Sequence, residues 1–139
     1  MTTTTPTTTT PYAIRAAFLF WMGALAAGVA EMILQVAEFP GVAVRLAVYA
    51  IVAAVALRMR AGRNWARWTL AVGLGVFGTL SLVIEPITWL LDGNALGDAL
   101  ARTDLTGVLT AASRILHILC VWAAVPLMFS PGTGAYFRR

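Results

Sequence analysis

The chain has 139 residues, enough for one domain, of which 60% are hydrophobic and 12% charged, with a mean hydropathy of +0.81. A soluble domain carries about 25% charged residues, so this composition excludes an ordinary soluble domain and points to lipid as the surrounding solvent. The formal net charge is +4 and the pI about 10.2, but the basic residues sit at the ends of apolar stretches. That is the distribution of a membrane protein and argues against nucleic acid as a partner.

Residues 1–12 read MTTTTPTTTTPY, a Thr/Pro-rich segment with nothing to bury, and a disordered tail is expected there. A glycosylated stalk is the other reading of such a segment. Four apolar stretches follow, over residues 13–37, 42–57, 68–91 and 105–129. A spanning helix takes about 20 residues, so residues 13–130 are expected to form an all-α, polytopic bundle of four transmembrane helices. Residues 131–139 are then a short tail. The second stretch is short, and Arg45 and Arg58 can extend it by snorkelling. The first could also be read as a signal peptide cleaved after Ala24-Leu25-Ala26, but its apolar character continues past that point.

Orientation follows from the arginines. Arg15, Arg58, Arg60, Arg63, Arg67, Arg138 and Arg139 fall on one side with no acid, while Glu38, Arg45, Asp92, Asp98, Arg102 and Asp104 fall on the other. Positive-inside places both termini in the cytoplasm. Tyr12, Trp65, Trp68 and Tyr136 mark the inner boundary, and Phe39 and Trp89 the outer one. Between the third and fourth stretches, residues 92–104 allow either a short interfacial helix, with Leu96, Ala99 and Leu100 on one face, or a polar loop.

The run Gly73-Leu74-Gly75-Val76-Phe77-Gly78 matches G-x-G-x-x-G, but it lies inside an apolar helix without the strand-turn-helix context of dinucleotide binding. Small residues at helical spacing instead suggest helix packing: Ala24 and Gly28 on the first helix, Ala71, Gly75 and Gly78 on the third.

Charges inside hydrocarbon cost roughly 2.5 to 3.5 kcal/mol each on insertion scales and are functional by default. The chain keeps Glu31, Arg45, Glu85 and Arg114 within or near its spans, with Gln35 and His117 beside them. At 1.5 Å per residue, Glu31, Glu85 and Arg114 lie roughly 10 Å from the outer ends of their helices and Arg45 roughly 6 Å. Helical spacing puts Glu31 on the Ala24/Gly28 stripe, Glu85 on the Ala71/Gly75/Gly78 stripe, and Arg114 and His117 on the face of Gly107 and Ala111. A neutral cluster of Glu31 and Glu85 with Arg114 and Arg45 is expected, capped by Gln35, Tyr49 and His117. Such a cluster either fixes helix register or lines an outward-open cavity for a polar ligand, ion or proton. Pro86, next to Glu85, removes a helical hydrogen bond and is expected to kink the third helix.

His117 is the sole histidine and Cys120 the sole cysteine, so no intramolecular disulfide or Cys-based metal site can form. His117, Glu31 and Glu85 would be the one conceivable metal set, and neither a metal nor another cofactor is expected. No catalytic residues are assigned, because no serine-nucleophile, P-loop or HExxH pattern occurs.

The segment Gly62-Arg63-Asn64-Trp65-Ala66-Arg67-Trp68, with the Arg-only, Ala/Val-rich composition, resembles a segment of small, uncharacterised four-helix integral membrane proteins of actinobacteria. The resemblance covers about seven residues and implies a plasma-membrane location. On its own chemistry, Gly62 ends the second helix, Asn64 N-caps the third, and the arginines meet anionic lipid. The expectation is a non-enzymatic multi-pass protein, self-associating as a homo-oligomer or serving as accessory subunit of a larger membrane protein. The alternative is a small transporter or ligand sensor that uses the Glu/Arg/His cluster.

Overall fold

A computed structural model describes residues 9–35 and 41–138. The fold is an all-α four-helix bundle. Its helices are α1 (Tyr12–Leu34), α2 (Val42–Arg60), α3 (Asn64–Leu91), α4 (Leu96–Arg102), α5 (Leu105–Met128) and the single turn α6 (Thr133–Tyr136). The four longest, α1, α2, α3 and α5, are each long and apolar enough to cross a membrane. Most of the Thr/Pro segment and Phe39 lie outside the described residues.

Helix α2 runs past its apolar stretch through Arg58 and Arg60, and α3 starts at Asn64, ahead of its own. Hydropathy marks where a helix is apolar, whereas its ends are set by backbone hydrogen bonds. At the end of α2, Arg63 N–H bonds the Arg58 carbonyl and Gly62 N–H the Met59 carbonyl, the two bonds of a Schellman motif. The motif needs a left-handed residue, supplied by Gly62 at φ 84°. The expected Asn64 cap does not form: Arg63 holds the cap position without a side-chain bond, and Asn64 is already helical. The cap that does form is Asp104, whose Oδ1 accepts from Gly107 N–H at 2.8 Å to start α5.

Residues 71–78 of α3 are π-helical. Bonds from i to i+5 take more residues per turn than the α-helix. The three glycines within this segment offer no side chains to resist the wider winding. Residues 96–102 take the helical option, with Leu96 and Leu100 exposed.

The core is lopsided. Ile14, Ala17, Trp21 and Ala24 of α1, Ala56 and Met59 of α2, and Ala66 and Leu70 of α3 meet Val121, Ala124 and Met128 of α5. All of these lie toward the Arg-rich end. Residues 131–138, expected as a tail, close that end: Phe137 is buried in the core and the Tyr136 hydroxyl donates to the Arg60 carbonyl. Tyr136 is half-buried against the core and fastens this end through that bond. At the opposite end the second half of α3 contains no buried residue, and α1 alone carries buried side chains so far along, namely Ala27, Glu31 and Met32. The helices are close at one end and separated at the other.

Gly28 shows how close α1 and α2 come. A Cβ there would stand 3.0 Å from Tyr49 Oη, which donates to the Gly28 carbonyl at 3.0 Å. Gly28→Leu should destabilise the protein by about 1 to 3 kcal/mol through overpacking. Gly97→Ala, with nothing within 4 Å of the added carbon, should be neutral or mildly stabilising. Unfolding midpoints in mild detergent test this, and equal midpoints for the two variants would refute the close approach.

Candidate functional site

The expected cluster assembles around Arg114. Its Nε donates to Glu31 Oε1 at 2.9 Å and its Nη1 to Glu85 Oε2 at 3.4 Å, so one guanidinium of α5 joins carboxylates of α1 and α3. The two contacts are unequal. The Glu31 side chain is 8% exposed and the Arg114 side chain 29%, whereas Glu85 is 76% exposed. Glu31 is thus a short, shielded partner, and Glu85 reaches Arg114 from an open flank.

This corrects one expectation. Glu85 faces the cavity between the helices and Arg114, but it is not shielded by close helix packing. Ala71 packs against the core and a Cβ on Gly75 would lie 3.2 Å from Val125 of α5, but a Cβ on Gly78 would meet only its own helix. Beyond Gly75 the stripe still faces the bundle, since Gly78, Leu82 and Glu85 line one cavity with residues of α1, α2 and α5, but no neighbouring helix packs closely on it. Pro86 remains inside the helix.

Arg45, expected in the ion cluster, lies with its guanidinium at the Tyr49 hydroxyl and lines the cavity shared by the cluster. His117 faces the backbone of Ala24, one helix across, with Glu31 nearby. Gln35, at the end of α1, lines the neighbouring cavity that Arg114 also borders.

Two cavities flank Arg114. One, of about 380 Å³, is lined by Glu31, Arg45, Tyr49, Glu85, Arg114 and His117 among others, and every long helix contributes to it. The other, of about 670 Å³, lies between α1, α3 and α5, with Gln35, Asp104 and Thr110 as polar members and Leu82, Pro86 and Ile118 as apolar ones. Both arise because the second half of α3 stands off from its neighbours, joined to α5 by the Trp122 Nε1 donation to Thr79 Oγ1 at 3.3 Å.

Chemically, the smaller cavity offers two carboxylates, two guanidiniums, an imidazole and a phenol, a set able to hold a polar group or to neutralise itself. His117, Glu31 and Glu85 do not converge as metal ligands among the described residues, because both carboxylates turn toward Arg114. Sequence reasoning missed Arg67, whose guanidinium carbon lies 4.5 Å and 4.6 Å from the ring centroids of Phe129 and Phe137. Phe129 at the end of the last apolar stretch and Phe137 after it were the available signal, but the turn that brings Phe137 back to Arg67 had none. No known protein family, curated protein or solved structure matches this chain.

Proposed function

We propose that this is a non-enzymatic, multi-pass plasma-membrane protein with both termini in the cytoplasm, acting as a self-associating or accessory subunit of a membrane complex. The observation that carries this reading is the second half of α3, which contains no buried residue and leaves Glu85 76% exposed despite its contact with Arg114. In hydrocarbon an uncovered carboxylate is costly, and a helix laid against this half of α3 would shield it. Interhelical contact in lipid depends on such packing and polar pairing.

Cross-linking and native mass measurement in mild detergent test the proposal. With Cys120→Ser as background, Ile87→Cys on the exposed flank of α3 should give a cross-linked dimer or an adduct to another membrane protein. A strictly monomeric protein without partners, in membranes and in detergent, would overturn it. A second reading, a small transporter or ligand sensor, is favoured by the 380 Å³ cavity that gathers Glu31, Arg45, Glu85, Arg114 and His117. A charge-neutral double substitution distinguishes it, as argued in the Discussion.

A further inference from the structure

We propose that a second, cationic cavity at the Arg-rich end binds a single phosphate group, carried by an anionic phospholipid headgroup or free. The cavity has a volume of about 180 Å³ and is lined by Asn64, Arg67, Gly134, Phe137 and Arg138. At about 30 Å³ per water, it has room for a phosphate and some of its hydration. It is separate from the Arg114 cluster: its walls come from the start of α3 and from the turn after α5.

The lining supplies two guanidiniums and a carboxamide, with no carboxylate among them. Residues 39–84 and 105–139 contain neither Asp nor Glu, so no acidic side chain comes from neighbouring sequence. Two cations lining one cavity with no acidic side chain among its described residues suit an anion.

The site is also pre-organised. Arg67 is held between the Phe129 and Phe137 rings, and its Nη1 donates to the Met128 carbonyl at 3.5 Å. Guanidinium has five N–H donors, and the Arg67 Nε is buried without a hydrogen-bond partner. Arg67 therefore has donor capacity left over and little rotamer freedom to lose on binding. Arg138 closes the other side, its backbone N–H bonded to the Ala135 carbonyl and its Nη2 lying 3.7 Å from where a Cβ on Gly134 would stand. Trp65 and Trp68, both exposed beside this end of α3, suit the headgroup level of a bilayer.

Calorimetric titration of the full-length protein in an uncharged detergent tests the assignment. Three probes are used: short-chain phosphatidylglycerol, short-chain phosphatidylcholine and inorganic phosphate. Phosphatidylglycerol should bind saturably, and phosphatidylcholine, whose ammonium opposes the two guanidiniums, more weakly. Inorganic phosphate binding as tightly as phosphatidylglycerol assigns the site to free phosphate; clearly weaker binding assigns it to the lipid headgroup.

Arg138→Gln should weaken binding about fivefold or more, the loss expected for one basic residue at an anionic surface. Arg58→Gln, exposed at the same end but outside the cavity, should leave it unchanged. Arg67→Gln removes stacking as well as charge and can unfold the protein, so Arg138→Gln, checked for helix content by circular dichroism, is the deciding variant. The proposal is overturned by wild-type binding in Arg138→Gln, by equal losses in Arg58→Gln and Arg138→Gln, or by no saturable binding of either phosphatidylglycerol or phosphate.

Discussion

Replacing Arg114 by Gln should destabilise the protein by about 3 to 5 kcal/mol, the usual cost of stranding one member of a shielded ion pair. The stranded group is Glu31, 8% exposed and 2.9 Å from the Arg114 Nε. Glu85 is not the residue that suffers: it is 76% exposed and 3.4 Å away, so Glu85→Gln should cost less than about 1 kcal/mol. The informative control is the double variant Glu31→Gln with Arg114→Gln. It removes both charges while keeping polar groups able to hydrogen-bond, and most of the loss should be recovered. Denaturant unfolding of the four proteins in the same detergent gives the energies, and an Arg114→Gln variant as stable as the wild type would show the pair to be inert. The same double variant separates the two functional readings. If it folds and retains the protein's cellular role, the cluster is a structural clasp and the ligand-site reading ends. If it folds but loses ligand-dependent or pH-dependent behaviour, the clasp reading ends.

Trp21→Ala should be comparably damaging, about 3 to 5 kcal/mol, because the cavity left by a buried aromatic is only partly refilled. Trp21 is 1% exposed and sits where α1 meets α5, with its indole N–H directed at Met128 Sδ 3.4 Å away. Leu91→Ala, at the far end of α3 where the side chain is 79% exposed, should change stability by no more than about 0.5 kcal/mol. The contrast measures the lopsidedness of the bundle. Equal losses from the two substitutions, read from thermal unfolding in detergent, would mean that the open end is packed in solution and that α3 is not separated from its neighbours there.

Much of this architecture was legible in the residues. Apolar stretches of spanning length pointed to four long helices, and four helices long and apolar enough to cross a membrane are present among the described residues. Helical spacing placed Glu31 on the same face as Ala24 and Gly28, and α1 does bury that face. Arg114 was placed on a face with His117, and both line the cavity opposite Glu31. These inferences held because α1 and α5 wind as regular α-helices, so a repeat of 3.6 residues projects onto a straight stripe.

On α3 the same arithmetic placed the face but not the packing: Gly78, Leu82 and Glu85 line the cavity toward the other helices, yet none of them is buried. It assumed one winding from Ala71 to Glu85, and π-helical residues intervene. The glycines that permit that winding were visible in the sequence; the choice between two hydrogen-bonding registers was not, because both satisfy every backbone group. The rank of Arg114's partners was hidden for a related reason. Glu31 and Glu85 are the same distance from their helix ends by count, and only the separation of α3 from α1 and α5 shields one and exposes the other.

The sequence by itself determined the helical class, the number of long helices and the side chains too polar to face lipid singly. Each follows from the chemistry of a segment in its solvent, whatever its neighbours do. The tertiary structure alone decided that the bundle closes at its Arg-rich end, with Phe137 returning to the core and Arg67 held between two rings. It also decided that Glu31 is the close partner of Arg114. These outcomes depend on which helices approach and how tightly. In an apolar chain that choice rests on shape and short-range packing rather than on hydrophobicity, and a pattern in which most positions are apolar carries little record of it.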